Sequence, residues 1–186
     1  MSKIIAMVGS RQTPISIQEE LIKIAKWCAE NKTWLRSGKA DGADRCAAIG
    51  AQEYCIQYLP WASFNQDFIS RAHDFILPEK LTDYHHQLIN KYHPAPDKLS
   101  RGAYRLMARN CYQVLGKDLN QPVDAVVCWC EEHYGPDGQT VWSGGTGFAL
   151  RLASDMGIPV INMYREQFDT ADKVIEYLKK NIYGEK

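Results

Sequence analysis

Apolar and polar residues follow one another along the chain in two rhythms. Short, largely apolar runs predict buried strands, at residues 4–8, 33–36, 55–59, 124–129 and 160–163. Between these runs, apolar residues recur every three or four positions, which is typical of helices that bury one face. Strands that are apolar on both faces and alternate with helices indicate a parallel sheet covered on both sides. We therefore predict an α/β fold, a Rossmann-like, doubly wound parallel sheet in which the five strands lie in the order 3-2-1-4-5.

The segment 61–98 interrupts this alternation. It contains Pro78, Pro94 and Pro96 among several aromatic and histidine residues, and it shows no apolar pattern sufficient for a core of its own. We therefore interpret it as an irregular, lid-like insertion after the third strand, within a single domain of residues 1–186. A chain of this length, 45% of it apolar, is large enough to bury one core.

A glycine-rich turn stands between the fourth predicted strand and the next helical pattern. It contains Gly144, Gly145, Thr146 and Gly147. Glycines ahead of a helix let the backbone approach a ligand, and the N–H groups of the first helical turn then lack intrahelical partners, an arrangement that binds phosphate. Glycines also serve simply to form tight turns, so this run alone leaves both interpretations open.

A second turn with suitable chemistry follows the first strand. Gly9 allows a close approach, Ser10 and Thr13 supply hydroxyl groups, and Arg11 carries a guanidinium suited to bidentate contact with phosphate. In the predicted strand order, the first and fourth strands are neighbours at the point where the chain reverses direction. Ligands of such sheets bind there, beyond the carboxyl ends of the strands.

The turn after the second strand combines backbone donors with carboxylates. Ser37, Gly38 and Gly42 are interleaved with Asp41 and Asp44. Two carboxylates would repel a phosphate but suit a ribose diol or a reacting sugar carbon, so both aspartates are candidate catalytic residues. Capping of the following helix is the alternative for Asp41 or Asp44, and a simple need for a turn is the alternative for the glycines.

Other residue types give weaker signals. Four aromatic residues near predicted strand ends could stack on a base, although packing is the alternative: Trp61, Phe64, Trp129 and Trp142. The adjacent histidines His85 and His86 and the six cysteines show no metal-ligand spacing, so we expect no metal and no cofactor, and we expect the cysteines to be small buried hydrophobes. Glu131 and Glu132 are expected to be solvated.

Charge and targeting signals narrow the partners further. Lys and Arg number 22 and Asp and Glu number 22, a balance that argues against a dedicated nucleic-acid binder. A charged leader and a bilayer-length apolar run are both missing, so we expect no membrane association and a cytoplasmic location.

The turns as a set resemble the SLOG superfamily. The resemblance rests on the Gly9-Ser10-Arg11 turn, the run Leu35-Arg36-Ser37-Gly38 with Asp41-Gly42-Ala43-Asp44, the pair Arg109-Asn110 and the Gly144–Gly147 turn. That superfamily includes the LOG phosphoribohydrolases, the DNA-processing protein DprA and the YpsA-related proteins. This chain is most similar to the small stand-alone YpsA-like members of phage and bacteria. The resemblance does not extend over residues 61–98.

The resemblance implies a nucleotide-derived small molecule, AMP- or ADP-ribose-like, held by these turns. It implies that Gly9, Ser10 and Arg11 contact the phosphate or the adenine side and that residues 144–147 form the phosphate loop. The LOG enzymes also carry an Arg-Lys pair on the preceding helix, which Arg109 matches and Asn110 does not; we expect both residues to contribute to binding. In the LOG enzymes a catalytic glutamate lies four positions beyond the last glycine, whereas this chain has Arg151 there. Hydrolysis of a glycosidic bond needs a carboxylate.

Three functions remain as hypotheses. The first is a nucleotide-binding sensor or sequestering protein, self-associated as a dimer or larger homo-oligomer, as stand-alone members of the superfamily commonly are. The second is an enzyme that hydrolyses an N-glycosidic bond of a nucleotide, with Asp41 or Asp44 supplying the carboxylate. The third is DprA-like binding of single-stranded DNA in recombination, which the neutral charge disfavours.

Overall fold

Residues 2–185, which the computed structural model describes, form eight strands. In chain order they are β1 (Ile4–Gly9), β2 (Trp34–Ser37), β3 (Cys55–Leu59), β4 (His73–Ile76), β5 (Ala125–Trp129), β6 (His133–Tyr134), β7 (Thr140–Val141) and β8 (Val160–Asn162). Six of them form one parallel sheet in the order β4-β3-β2-β1-β5-β8. The predicted order of the five apolar strands is confirmed, and so is the doubly wound α/β class.

The central strand β1 shows why the sheet is covered on both faces. Ile5 lies opposite Leu35 of β2 on one side and opposite Ala125 of β5 on the other. Along β1, Ile5 and Met7 belong to one hydrophobic cluster, whereas Ala6 and Val8 belong to the other. Successive side chains of a strand point to opposite faces, so one apolar strand supplies two cores.

Six α-helices cover the sheet. They are α1 (Ile15–Glu30), α2 (Ala43–Ala51), α3 (Asp83–Tyr92), α4 (Arg101–Leu115), α5 (Gly144–Asp155) and α6 (Ala171–Leu178), which continues into a π-helical turn (Lys179–Tyr183). The buried residues of α1, α2 and α6 share one cluster, and those of α3, α4 and α5 share the other. Helix α4 begins where the Ser100 hydroxyl accepts a hydrogen bond from the Ala103 amide, and it ends at Gly116, whose φ is 75°.

The segment 61–98 contains regular structure that the apolar pattern did not predict. It adds β4 in parallel beside β3, with Phe75 opposite Tyr58, and it adds α3, which packs on α4. Strand β4 is an edge strand with mostly exposed side chains, so it needs no apolar signature. The single-domain organisation and the lid-like role of this segment stay predictions.

All six cysteines are buried and free, as predicted. Burial raises the pKa of the Cys28 and Cys111 thiols to about 12. In the part of the chain that the structure describes, no helix is long and apolar enough to span a membrane.

Candidate ligand-binding cleft

A cleft of about 690 Å³ opens at the carboxyl edge of the sheet. It lies where β1 and β5 end side by side and the chain reverses direction, the position that the strand order predicted. Most of the predicted binding residues line it, namely Gly9, Ser10, Arg11, Asp44, Arg109, Asn110, Trp129, Gly144, Gly145 and Thr146. All three turns and the helix pair named from the sequence thus contribute residues to one site, although ligand contact by these residues stays a prediction.

The turn after β1 is held tightly against its neighbours. A Cβ at Gly9 would lie 2.6 Å from Ala43 Cβ and 2.9 Å from the Trp129 carbonyl oxygen, so only glycine fits there. The Ser10 amide donates to the Trp129 carbonyl at 3.1 Å. Thr13 lies outside the cleft lining, and its hydroxyl donates to the Ser10 carbonyl at 2.6 Å. The turn is therefore fixed before any ligand arrives.

The start of α5 presents its first amide groups to the cleft. Ser143 precedes the helix, and its carbonyl accepts the first helical hydrogen bond, from the Gly147 amide at 3.0 Å. The amide groups of residues 144–146 come before that bond and make no intrahelical one. Gly147 itself is required by packing, since a Cβ there would lie 2.5 Å from the Trp142 carbonyl oxygen.

Two adjacent residues of α4 connect that helix to two different turns. The Asn110 side-chain amide donates to the Gly145 carbonyl at 2.9 Å. The Arg109 guanidinium donates to the Gly38 carbonyl at 2.6 Å and lies 3.3 Å from the carboxylate of Asp44. Helix α4 therefore fixes the second turn and the glycine-rich turn relative to each other.

Below this junction lies a buried polar group of three side chains. Asp44 is only 2% exposed, and burial raises the pKa of its carboxyl while the Arg109 charge opposes that rise. Burial likewise lowers the pKa of Arg109. Considering residues 2–185 only, Asp44 Oδ2, Arg109 Nε and Gln113 Nε2 receive or make no hydrogen bond. All three atoms are shielded from solvent, and Asp44 Oδ2 and Gln113 Nε2 lie against Gly38, so the group holds the second turn in place.

Gln113 borders the cleft but was not among the binding residues predicted from the sequence. It follows Arg109 by four positions and so lies on the same face of α4, a spacing that could have identified it. Met107 was missed as well, because an apolar residue in a sequence carries no sign of whether it faces a cleft or a core. Of the four candidate stacking residues, Phe64 and Trp129 border the cleft, whereas Trp61 and Trp142 do not.

The other predicted residues of the second turn lie outside the cleft. The Ser37 hydroxyl donates to the Met7 carbonyl at 2.7 Å. A Cβ at Gly38 would lie within 2.6 Å of the side chains of Arg109, Gln113 and Asp44, and Gly42 has a φ of 77° and contacts the Ser10 carbonyl. The Asp41 side chain is 58% exposed and pairs with Arg45 at 2.8 Å. Of the two candidate catalytic aspartates, only Asp44 borders the cleft.

Arg151 has a structural role outside the cleft. Its Nε donates to the Tyr92 carbonyl at 2.8 Å, and its Nη1 donates to the Trp142 carbonyl at 2.7 Å. It thereby joins α3 to the segment that leads into α5.

Glu132 is buried, so the expectation that it is solvated is wrong. It accepts hydrogen bonds from Trp142 Nε1 at 3.2 Å and Asn162 Nδ2 at 2.9 Å, and it pairs with Arg165. Burial acts to raise the pKa of Glu132, but these donors outweigh it and lower the pKa below its ordinary value. Its neighbour Glu131 is exposed at the cleft rim. Among residues 2–185, no group of three or more His, Cys, Asp or Glu side chains is placed to hold a metal ion.

Comparison with solved structures places the fold. DNA processing protein A from Helicobacter pylori, described for its single-stranded DNA binding mode, is 18% identical with a TM-score of 0.54; the match covers 96% of this chain and 72% of that one. DNA processing protein A from Streptococcus pneumoniae is 16% identical with a TM-score of 0.53, covering 97% of this chain, which spans only 57% of that protein. No protein-family model and no curated protein sequence matches the chain.

A Chlamydomonas molybdenum cofactor carrier protein is 17% identical with a TM-score of 0.45, covering 87% of this chain and 76% of that one. A likeness of that size supports no inference about this chain.

These comparisons correct one expectation. A neutral charge balance led us to expect no nucleic-acid partner, yet a protein of the same fold binds single-stranded DNA. Net charge is a poor guide because contact depends on local charge, and Arg11 and Arg109 both border the cleft of this neutral chain. The chain has the Rossmann-like fold that the resemblance predicted, whereas its place in the SLOG superfamily and its narrower likeness to YpsA-like members stay predictions.

Proposed function

We propose that the cleft binds a phosphate-bearing nucleotide or nucleotide sugar, AMP- or ADP-ribose-like, and that the protein acts as a sensor or sequestering protein. One observation carries the proposal: the free amide groups at the start of α5 border the same cleft as the Ser10-Arg11 turn. Helix N-termini attract anions through both their unpaired N–H groups and the helix dipole. Arg11 adds an exposed guanidinium at the opposite wall.

The buried group of Asp44, Arg109 and Gln113 supports this site from beneath. Asp44 Oδ2 pairs with the Arg109 guanidinium at 3.3 Å, and both Asp44 Oδ2 and Gln113 Nε2 converge on Gly38. These atoms are shielded from solvent, so they hold the second turn in place. The ligand is thus expected to place its anion at the start of α5, beside the Ser10-Arg11 turn.

Binding without turnover is favoured over hydrolysis. Cleavage of a glycosidic bond needs a carboxylate placed as an acid, base or nucleophile. The position that holds the glutamate in the LOG enzymes is Arg151, which is bonded to two backbone carbonyls. Asp44 lies in an ion pair with Arg109. Release of free base from AMP, lost in an Asp44→Asn variant, would instead support the enzyme alternative.

Binding of single-stranded DNA is the second candidate. The structure of Helicobacter pylori DNA processing protein A, described for its single-stranded DNA binding mode, has this fold. In this chain the α5 amide groups could hold a backbone phosphate, and Phe64 and Trp129 both border the cleft, where bases could stack on their rings.

Thermal unfolding with and without ligand tests the first candidate. A ligand at a hundredfold excess over its Kd stabilises a protein by about 2.7 kcal/mol, which for this size raises Tm by about 5 °C or more. We expect that rise with AMP, ADP-ribose or NAD and none with adenosine, which lacks phosphate. Arg11→Gln should reduce the rise, and Arg71→Gln, which removes an exposed arginine paired with Glu53, should not. Absence of any rise with all three phosphate ligands would refute the proposal.

A gel-shift assay with a short oligonucleotide separates the second candidate from the first. Binding through phosphate contacts weakens steeply as salt increases. A salt-sensitive shift that Arg11→Gln weakens, together with no response to AMP, would favour DNA. A negative gel shift together with a rise in Tm on AMP would favour the free nucleotide.

A further inference from the structure

The cleft changes character along helix α4. The α4 residues that border it recur on one helical face: Ala103, Leu106, Met107, Arg109, Asn110 and Gln113. The first three are apolar and the last three are polar. One wall of the cleft is therefore divided into an apolar end and a polar end.

The polar end is the end at which an anion would bind. Asn110 is bonded to the Gly145 carbonyl, so this part of α4 lies against the start of α5. Ala103 lies seven residues earlier on the same helix, which corresponds to about 10 Å along the helix axis. A ligand that fills the cleft must then join an anionic group to an apolar group about 10 Å away.

Phe64 lies near the apolar end of the cleft, because its neighbour Trp61 lies 3.8 Å from the Cβ position of Gly102, beside Ala103. It comes from the turn that follows β3, and it is half-buried and belongs to neither hydrophobic core. Its ring lies edge-on to Trp61, with the centroids 5.5 Å apart, and the Arg109 guanidinium lies 5.5 Å from its centroid. Flat groups stack on such a ring, and a planar guanidinium beside it adds to the attraction.

Met107 connects the two ends. It is buried, and its Cε lies 3.2 Å from the place where a Cβ at Gly145 would stand. Methionine is unbranched and adapts to the shape of its neighbours, so it can pack beneath rings of different sizes.

We propose that Phe64 is a specificity-determining residue: stacking in the apolar end selects a ligand that carries a flat ring, so the cleft takes a nucleoside phosphate rather than a bare sugar phosphate. The inference rests on the proposed function, because it assumes that the polar end holds the phosphate. It adds which part of the ligand is selected and by which side chain.

Calorimetric titration with three probes tests the inference: AMP, ribose 5-phosphate and inorganic phosphate. We expect the unaltered protein to bind AMP at least about tenfold more tightly than ribose 5-phosphate, since stacking of one base on an aromatic side chain has that effect. Phe64→Ala should remove most of the difference by weakening AMP alone. Phe64→Trp should preserve it.

Phe68→Ala is the matched control. Phe68 belongs to the same turn and contacts Arg45, 4.9 Å from its ring centroid, but it does not border the cleft. It should leave the preference for AMP unchanged. Thermal unfolding of each variant shows whether it is folded. If Phe64→Ala fails to fold, Phe64→Leu replaces it, because leucine keeps an apolar contact with Trp61 but loses the flat ring; its preference for AMP should be intermediate.

The outcomes distinguish this inference from the function on which it rests. Equal affinity for AMP and ribose 5-phosphate, or equal effects of Phe64→Ala and Phe68→Ala, would overturn the role of Phe64 and leave phosphate binding intact. Failure of all three probes to bind would overturn both.

Discussion

The side-chain amide of Asn110 donates to the Gly145 carbonyl at 2.9 Å, so a residue in the middle of α4 fixes the first turn of α5. Its neighbour Arg109 makes the corresponding bond to Gly38. Two turns that are far apart in the chain thus keep their separation through one helix. The shape of the cleft therefore depends on α4 as much as on the glycines themselves.

Loss of the Asn110 amide is expected to loosen the glycine-rich turn. Asn110→Ala removes one partly buried hydrogen bond, so the free energy of unfolding should fall by about 1 kcal/mol, and affinity for AMP should fall as well. Asn110→Asp should weaken AMP binding more, because a carboxylate would face a carbonyl oxygen and an anion. Urea unfolding and calorimetric titration measure the two effects.

Asn181→Ala is the control for the two Asn110 variants. Its amide makes a bond of the same kind and length, to the Tyr177 carbonyl at 2.9 Å, but on the exposed surface. AMP affinity should be unchanged. An equal loss of affinity in both variants would show that Asn110 does not act through the cleft.

Gly38→Ala should destabilise the protein by several kcal/mol. The new Cβ would lie 2.4 Å from Gln113 Nε2, 2.5 Å from Arg109 Cζ and 2.6 Å from Asp44 Oδ2, so it would force apart a buried ion pair. Gly102→Ala is the matched control, because a Cβ there meets only the Trp61 ring at 3.8 Å. Alanine is the better helix former, so that change should be neutral or slightly stabilising. Similar urea midpoints for the two variants would contradict the packing described for Gly38.

The two aspartates of the second turn should respond very differently to substitution. Asp44→Ala leaves the buried Arg109 charge without its partner, which costs about 3 to 5 kcal/mol of stability. Asp41→Ala removes an exposed pair with Arg45 and should cost less than about 1 kcal/mol. Denaturant unfolding of both variants measures the difference. If Asp41→Ala lowered the free energy of unfolding more than Asp44→Ala, the assignment of Asp44 as the carboxylate that stabilises the fold would be wrong.

Restoring the glutamate of the LOG enzymes should not create a hydrolase. Arg151→Glu removes two hydrogen bonds and directs a carboxylate at the carbonyls of Tyr92 and Trp142. We expect a lower Tm, from an unmet buried acceptor, and no release of free base from AMP. Arg151→Gln, which removes the charge but retains a donor, should lose less stability. Appearance of base release in Arg151→Glu alone would revive the enzyme alternative.

Acid should destabilise the contact between α3 and α4 through His85. Burial lowers the pKa of His85 to about 4, with the charge of His86 a smaller cause. The unfolded chain, with the ordinary pKa of about 6.5, binds a proton in a range where the folded protein does not. The contribution of His85 to the free energy of unfolding is therefore complete above pH 6.5. It is lost as the pH falls toward 4, by up to about 3 kcal/mol.

A glutamine substitution isolates this effect from the titration of carboxylates. His85 Nδ1 accepts from the Thr82 amide in a capping box, a place where glutamine serves equally well. His85→Gln should lose less stability than the unaltered protein between pH 6.5 and 4. His86→Gln, on the exposed side of α3, should keep most of that pH dependence, because burial is the larger cause of the lowered His85 pKa. Parallel pH profiles of the unaltered protein and His85→Gln would contradict the assignment.

The order of five sheet strands and two of the turns that line the cleft could be predicted from the sequence. Fully apolar strands such as 125–129 must be buried on both faces, which requires a parallel sheet with helical crossovers. Ligands of such sheets bind where the strand order reverses, and this rule predicted that the Gly9 and Gly144 turns lie at the same site. These conclusions follow from local pattern and chain topology, and neither depends on a particular side-chain contact.

The edge strand β4, the burial of Glu132 and the cleft position of Gln113 required the tertiary structure. The structure also decided which of the four candidate stacking residues border the cleft, namely Phe64 and Trp129. Edge residues and cleft residues face partners that are distant in sequence, so no local pattern marks them. Glu132 is buried only because Trp142, Asn162 and Arg165 converge on it.

The division between sequence and structure is clearest for Asp41 and Asp44. They stand three positions apart with the same chemistry, and the local pattern allows either one to act in catalysis or to cap the following helix. Folding places one against Arg109 at the cleft and leaves the other in water beside Arg45. Local sequence determined that a turn with carboxylates would stand at this edge of the sheet. The position of α4 decided which carboxylate is buried, because desolvation and ion pairing depend on neighbours that only the folded chain supplies.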